Sequence, residues 1–73
     1  MDLIFKGIYL NGKKKGKGKE YLKCELIFVG EYLNGKRNGK GLEFNKYGRV
    51  IFEGEYLKGK RWNGIIYKDK YKF

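Results

Sequence analysis

The chain has 73 residues, enough for one small domain near the size at which a single hydrophobic core is only marginally stabilising. It contains seven Tyr, five Phe and one Trp but no Ala, Pro, Ser, Thr, Gln or His. This composition excludes a convincing amphipathic helix and lacks the usual residues of nucleophilic catalysis, so we expect an all-β protein that is not an enzyme. The net charge of +10 favours acidic partners, although an AT-rich genome would also enrich lysine.

The first predicted hairpin has a strand over residues 2–10 in which apolar side chains alternate between two faces. Asn11-Gly12 turns the chain, since both residues tolerate the positive φ of a type I′ turn. A second strand then returns to about Leu22, and Lys23-Cys24 is predicted to form a tight turn without glycine.

The second predicted hairpin has strands over residues 25–33 and 39–45, joined by a turn at Asn34-Gly35. Gly39 and Gly41 lie in the returning strand, opposite a segment that carries Phe28 and Tyr32. Glycines inside strands usually mark a close approach, so we expect aromatic rings to lie over them. The alternative is that both glycines belong to a flexible loop.

The third predicted hairpin follows a turn over residues 46–48 and has strands over residues 49–57 and 64–68. Lys58-Gly59 forms its turn. A short piece over residues 71–73 is expected to pack against the sheet edge.

The three hairpins are imperfect copies of one another. Residues 28–44 resemble residues 5–21, at an offset of 23, and residues 52–67, at an offset of 24. We therefore predict one domain over residues 1–73, with units at about 5–27, 28–51 and 52–73. Short connections make sequential strands neighbours, which predicts a single elongated antiparallel sheet of about six strands in up-and-down order.

The shared pattern aromatic-x-Gly-x-Tyr-x-x-Gly-x-x-x-Gly-x-Gly resembles the MORN (membrane occupation and recognition nexus) repeat. It is carried in the three units by Phe5, Gly7, Tyr9, Gly12, Gly16 and Gly18; by Phe28, Gly30, Tyr32, Gly35, Gly39 and Gly41; and by Phe52, Gly54, Tyr56 and Gly59. The third unit then departs: Gly64 is either the first of the two glycines with an insertion before it or the last with residues lost, and its spacing to Tyr67 favours the latter. The resemblance implies hairpins stacked into a long, curved, single-layer sheet that serves scaffolding or tethering and binds protein partners.

The aromatic side chains are expected to form a row on the sheet, with Gly30 and Gly54 beneath rings. Its predicted members are Phe5, Tyr9, Phe28, Tyr32, Phe44, Phe52, Tyr56 and Tyr67.

Basic residues follow each of the three equivalent turns, which should all lie along one side of the sheet about 10 Å apart. They are Lys13, Lys14 and Lys15; Lys36 and Arg37; and Lys60 and Arg61. They form a binding ridge or, alternatively, only reflect the lysine-rich surface. Trp62 interrupts the third unit, either as a partner-binding anchor or as a cap on the aromatic row.

We expect a small protein-interaction module: a scaffold, adaptor or inhibitor that docks on a larger protein with an acidic surface through the sheet face, an edge or the basic turns. The alternative is electrostatic binding of anionic lipid headgroups or nucleic acid through the ridge. Pairing of edge strands would give a homodimer. A third interpretation is a fragment of a longer array, although residues 1–3 and 68–73 do not continue the pattern.

No cofactor or metal site is expected. The lone Cys24 has no thiol or imidazole partner and is interpreted as a turn or packing residue. Glu53 and Glu55 share a strand face but are interpreted as ion-pair partners of lysines rather than as an acid/base pair. The sequence has neither a signal-peptide pattern nor a transmembrane run, which predicts a cytoplasmic or otherwise intracellular protein that is peripheral at most to a membrane.

Overall fold

A computed structural model describes residues 3–68 of the chain, and over this range the protein is all-β without a helix. The strands are β1 (Leu3–Leu10), β2 (Lys13–Leu22), β3 (Glu25–Leu33), β4 (Lys36–Phe44), β5 (Val50–Leu57) and β6 (Lys60–Ile66). They form one open antiparallel sheet in the order β1-β2-β3-β4-β5-β6, as predicted. Its extents are 44 × 27 × 16 Å, those of an elongated single layer.

Two-residue turns close each of the three hairpins. Asn11, Asn34 and Lys58 have φ values of 52°, 52° and 51°, and the glycine that follows each of them also has positive φ. Two positive φ values in succession define the type I′ turn, whose twist matches that of the flanking strands. The predicted turns are therefore confirmed.

The two connections between hairpins are also where the sequence predicts them. Lys23 and Cys24 have φ values of 51° and 67°, so this turn adopts the same conformation without glycine. Between β4 and β5, the Asn45 side-chain Oδ1 accepts hydrogen bonds from the backbone N–H groups of Tyr47 (2.8 Å) and Arg49 (3.1 Å). In this Asx arrangement, the Asn45 side chain binds two backbone N–H groups of the connection.

Two strand starts differ from the prediction because both returning strands contain bulges. β4 begins at Lys36 rather than residue 39, and β6 begins at Lys60 rather than residue 64. In the second hairpin Gly30 pairs with Gly41 but Tyr32 pairs with Arg37, so β4 carries two extra residues. Gly39, with φ of 100°, accommodates this bulge, and the loop alternative for Gly39 and Gly41 is wrong. The predicted piece over residues 71–73 lies outside the described range.

Six glycines form one continuous row across the whole sheet. Each pairs directly with the next, in the order Gly7, Gly18, Gly30, Gly41, Gly54 and Gly64. Gly64 therefore takes the place of Gly18 and Gly41, and the third hairpin has one residue fewer between its turn and this row. This register agrees with the favoured interpretation of the third unit.

The glycine row makes room for aromatic rings. A Cβ atom at Gly30 would lie 2.5 Å from Cζ of Phe28 and 2.6 Å from the carbonyl oxygen of Lys40, so only glycine fits without movement. Gly54 differs from the expectation, because its nearest neighbours are backbone atoms of the paired strand rather than a ring. Gly39 also lies beneath no ring; it faces the Glu31 side chain.

The core lies on this face of the sheet and consists of Phe28, Tyr32, Phe52 and Tyr56, with Phe5 and Ile27 packed against it. Consecutive rings meet edge to face, with centroids 4.9–5.6 Å apart. Such T-shaped pairs are favoured by the ring quadrupole. The rings therefore bury one another without a second layer of secondary structure.

The opposite face carries a mixed row of side chains, one position before or after the glycine row on each strand. In sheet order this row is Lys6, Lys19, Val29, Leu42, Glu53 and Ile65. A shallow open groove of about 450 Å³ lies at its centre, bordered by Val29, Leu42 and Glu53. Within residues 3–68, no helix has the length and apolar character required to cross a bilayer.

Candidate interaction surfaces

A carboxylate, a tyrosine and an arginine link the first hairpin to the second. Glu20 on β2 accepts a short hydrogen bond from the Tyr32 hydroxyl on β3. Arg37 on β4 donates to the same carboxylate twice, from Nη2 to Oε1 at 2.9 Å and from Nε to Oε2 at 3.2 Å. The bidentate geometry is the stronger form of this pair. We call this cluster the inner latch.

The same arrangement links the second hairpin to the third. Glu43 on β4 accepts a short hydrogen bond from the Tyr56 hydroxyl on β5. Arg61 on β6 donates from Nε at 2.7 Å and from Nη2 at 3.0 Å. This outer latch is more exposed than the inner latch, because no further hairpin covers Arg61 within the described residues.

The two arginines also cover the aromatic core. The guanidinium carbon of Arg37 lies 4.1 Å from the Phe28 ring centroid, and that of Arg61 lies 4.7 Å from the Phe52 centroid. A guanidinium over a ring is attracted by the π-face while its carbons exclude water. Each latch therefore ties two hairpins together and closes the core from above.

The latches fix the ionisation of their members. Burial raises the pKa of Glu20, but the hydrogen bonds from Arg37 and Tyr32 outweigh it, and the pKa is lowered overall. The hydrogen bond from Arg61 is the main cause of the lowered pKa of Glu43. Burial, followed by the hydrogen bond to the glutamate, raises the pKa of both Tyr32 and Tyr56. Each latch therefore holds a carboxylate, a neutral phenol and a guanidinium at neutral pH.

The predicted basic ridge divides into two groups. Arg37 and Arg61 are engaged in the latches, and the Lys14 ammonium lies 4.8 Å from the Phe5 ring centroid. The remaining predicted residues, Lys13, Lys15, Lys36 and Lys60, are exposed. The turns adjoin one another, since the N–H of Gly35 donates to the Lys14 carbonyl and that of Gly59 to the Arg37 carbonyl.

A pocket of about 240 Å³ lies between the first two turns of the ridge. It is lined by residues of both turns, namely Leu10, Asn11, Lys13, Lys14 and Lys15 from the first and Leu33 and Asn34 from the second. Lysines border this concavity, and their positive charge would favour an anion.

Trp62 lies at the bulge of β6. Glu55 pairs with Asn63 and Tyr56 pairs with Arg61, which leaves Trp62 without a partner on β5. Its side chain is 68% exposed. Among the described residues it makes no ring contact with the core, so the geometry does not favour the cap alternative.

The aromatic row contains six of the eight predicted side chains. In contact order they are Tyr9, Phe5, Tyr32, Phe28, Tyr56 and Phe52. Phe44 does not join the row, because the strand shifts register between Glu43 and Phe44, which lies opposite Val50. Tyr67 also departs from the prediction: its hydroxyl donates to Glu53, which is on the opposite face, at 2.9 Å.

No role is assigned from the sequence to Glu20 and Glu43, the carboxylates of the two latches. One sequence signal distinguishes them from the other carboxylates. Each stands two residues after a glycine of the row, and hence on the ring face of its strand.

Exposed large apolar side chains concentrate at the two ends of the sheet. On β1 they are Leu3, Ile4, Ile8, Tyr9 and Leu10, and on β6 they are Trp62, Ile65 and Ile66. Each of these strands has a partner on one side only within residues 3–68. Unpaired strand edges bind other strands readily.

The part of the chain that the structure describes holds no cluster of three His, Cys, Asp or Glu side chains suited to a metal ion. Cys24 is exposed in its turn. Comparison with family models, curated proteins and solved structures gave no match to this chain.

Proposed function

We propose that the chain is a small, non-enzymatic interaction module of the MORN-repeat type that docks on a larger protein through the β6 end of its sheet. The observation that carries this proposal is Trp62, a 68% exposed tryptophan at a bulge in an edge strand. Tryptophan, tyrosine and arginine are the residues that most often anchor protein interfaces.

The surroundings of Trp62 have the composition of an interface. Ile65 and Ile66 are exposed on the same strand, one on each face of the sheet, so a partner that docks on the edge could contact both, and Lys60 precedes them at the turn. An apolar centre with a charged rim is typical of protein–protein contacts. With a net charge of +10, the chain would be steered towards a partner with an acidic surface.

The MORN assignment is supported by the three hairpins with equivalent turns, glycines and rings. An intracellular adaptor or inhibitor that needs no cofactor fits this assignment. In such a role the sheet presents its edge, while the latches hold the edge in a fixed shape.

The test is affinity capture from the native host with the immobilised chain, at low and at high salt. Trp62→Ala is compared with Tyr47→Ala, because Tyr47 is 65% exposed and lies on a connection rather than on the edge. We expect Trp62→Ala alone to remove a partner that is retained at high salt, without changing the melting temperature. Equal capture by both variants would contradict the proposal.

The pocket beside Lys13, Lys14 and Lys15 favours a second candidate, binding of a phosphate-bearing partner. Lysine contacts to phosphate weaken steeply as the salt concentration rises, because the release of counterions on binding becomes less favourable. The probe is a phosphatidylserine vesicle. Binding that disappears in Lys13→Gln with Lys15→Gln and persists in Trp62→Ala would favour this candidate over docking through β6.

A further inference from the structure

Each latch joins one strand to the hairpin that follows it. The strand supplies the glutamate, and we call it the glutamate strand. The following hairpin supplies a phenylalanine opposite that glutamate, a tyrosine four residues later, and an arginine paired with that tyrosine. These residues are Phe28, Tyr32 and Arg37 in the second hairpin, and Phe52, Tyr56 and Arg61 in the third.

The first hairpin has the same phenylalanine and tyrosine, with a lysine in place of the arginine. Phe5 and Tyr9 stand at the equivalent positions, and Tyr9 pairs with Lys14 as Tyr32 pairs with Arg37. The Lys14 ammonium lies over the Phe5 ring, as the Arg37 guanidinium lies over the Phe28 ring. A cation, a phenol and a ring are therefore in place for a third latch.

This third set of residues has no glutamate strand beside it within residues 3–68. Tyr9 is 56% exposed, whereas Tyr32 and Tyr56 are buried and donate to the glutamate of the neighbouring strand. The outer edge of β1 is unpaired over the same range. We call the combination of Phe5, Tyr9, Lys14 and this edge the open seat.

The two existing glutamate strands, β2 and β4, define which segment would fill the open seat. Both place a glycine two residues before the glutamate, as Gly18 with Glu20 and Gly41 with Glu43. A Cβ atom at Gly41 would lie 2.6 Å from Cε1 of Phe28 in its own hairpin and 2.9 Å from Cε1 of Tyr56 in the next, and one at Gly18 would lie 2.6 Å from Cζ of Phe5, so glycine at this position leaves room for the rings. An occupant would therefore pair antiparallel with β1, with glycine opposite Gly7 and glutamate opposite Phe5.

A second copy of this chain does not satisfy that requirement. Its two free strands within the described residues are β1 and β6. With the glycine placed opposite Gly7, β6 has Ile66 at the glutamate position and β1 has Tyr9 there. Head-to-tail pairing would place an aliphatic side chain against the Tyr9 hydroxyl and the Lys14 ammonium, leaving both without a carboxylate.

We infer that the β1 edge is a binding site for an extended Gly-x-Glu segment of another protein, which adds a strand to the sheet and places its carboxylate on Tyr9 and Lys14. This is strand addition with a charged selectivity contact. The inference rests on the proposed role as an interaction module, but it uses the edge opposite to Trp62.

The test uses a labelled peptide that copies residues 38–45 of this chain, which contain the Gly-x-Glu sequence of the outer latch, and a second peptide with Glu43→Gln. Binding to the full chain is measured by fluorescence anisotropy, and its position is mapped by amide shifts in Leu3–Leu10. We expect about five-fold weaker binding of the Gln peptide, since a partly exposed charged hydrogen bond is lost. Lys14→Gln should abolish this difference, and Lys14→Arg should increase it by allowing bidentate contact.

Lys36→Gln is the matched control, because Lys36 is an exposed turn lysine outside the open seat, and it should leave both affinities unchanged. Equal binding of the two peptides, no binding of either at millimolar concentration, or an unchanged ratio in Lys14→Gln would overturn the inference. Trp62→Ala should bind the peptide as the unmodified chain does. If the two peptides bind equally while partner capture still depends on Trp62, the inference about the open seat is wrong and the proposed function is unaffected.

Discussion

The first and second hairpins have the same sequence pattern and the same pairing of glycines, yet they are buried to very different extents. Phe28 and Tyr32 in the second hairpin are 0% and 4% exposed, whereas Tyr9 in the first is 56% exposed. The second and third hairpins each follow another hairpin in the sheet, whereas the first follows none within the described residues. Phe52 and Tyr56 in the third hairpin, which has a neighbour only on that side, are also just 3% exposed. Burial of these rings is therefore supplied by the preceding hairpin rather than by the hairpin itself.

This difference explains how a single-layer sheet can have a core at all. An isolated hairpin is marginally stable in water. Here a ring from one hairpin packs against rings of the next, and the latch between them excludes water from above. Stability then depends on contacts between neighbours, as in other linear arrays of small units.

The largest difference between the two hairpins should come from crowding the glycine row. Gly30→Val places atoms against Phe28 and against the backbone of β4, and we expect it to lower the free energy of unfolding by about 3 kcal/mol. Gly7→Val meets the half-buried Phe5 and more distant backbone, and we expect about 1 kcal/mol. Urea unfolding followed by tryptophan fluorescence measures both values. Equal losses would mean that neighbours do not hold the Phe28 ring in place.

Removing a latch glutamate should have the next largest effect. Glu20→Ala leaves the buried Tyr32 hydroxyl and Arg37 without their carboxylate partner, and we expect it to lower the free energy of unfolding by about 2 kcal/mol. Glu43→Ala affects the more exposed outer latch, for which we expect about 1 kcal/mol. Glu25→Ala, at an exposed position outside the latches, is the control and should be neutral. A larger loss for Glu43→Ala than for Glu20→Ala would reverse the comparison.

Acid should weaken the latches over a defined range of pH. The folded pKa values of Glu20 and Glu43 are lowered, so their contribution is complete above their usual value of 4.5 and is lost as pH falls below it. The urea midpoint of the unmodified chain should therefore fall more between pH 5 and pH 3 than that of Glu20→Gln combined with Glu43→Gln. Parallel pH profiles for the two proteins would show that the latches are not the groups that titrate.

The smallest expected effect separates the buried tyrosine from its exposed equivalent. Tyr32→Phe removes a buried hydroxyl that donates to Glu20, and we expect a loss of about 1 kcal/mol. Tyr9→Phe removes an exposed hydroxyl and should change the free energy of unfolding by less than about 0.5 kcal/mol. Thermal melts of the two variants at equal concentration provide the test. A loss in Tyr9→Phe as large as that in Tyr32→Phe would contradict it.

The turns and the sheet order could be predicted because their causes are local. Asn11-Gly12 and Asn34-Gly35 specify the backbone conformation of their turns by themselves, and short connections then make consecutive strands neighbours. The start of β4 could not be found in the same way. Gly39 sits at a bulge with positive φ, and a glycine there has the same sequence signal as a loop.

The latches could not be predicted because they depend on register between strands. Glu20 and Arg37 are 17 residues apart, and they meet only because Glu20 pairs with Phe28 while a bulge sets the position of Arg37 opposite Tyr32. From the sequence alone, Arg37 and Arg61 are therefore predicted to belong to the basic ridge rather than to ion pairs with glutamates. Strand alternation alone does place Glu20 and Glu43 on the ring face, so the position of the carboxylate in each latch can be predicted from the sequence.

The central claim is that the inner latch couples two hairpins, and a double-mutant cycle on Glu20 and Arg37 tests it most directly. Glu20→Ala, Arg37→Ala and the double variant are unfolded in urea, beside a control cycle of Glu20→Ala with Lys36→Ala. Lys36 is adjacent in sequence to Arg37 but exposed. The account predicts a coupling free energy of about 1–2 kcal/mol for Glu20 with Arg37, and additivity within about 0.3 kcal/mol for the control. Additivity within the same limit for Glu20 with Arg37 would contradict the account.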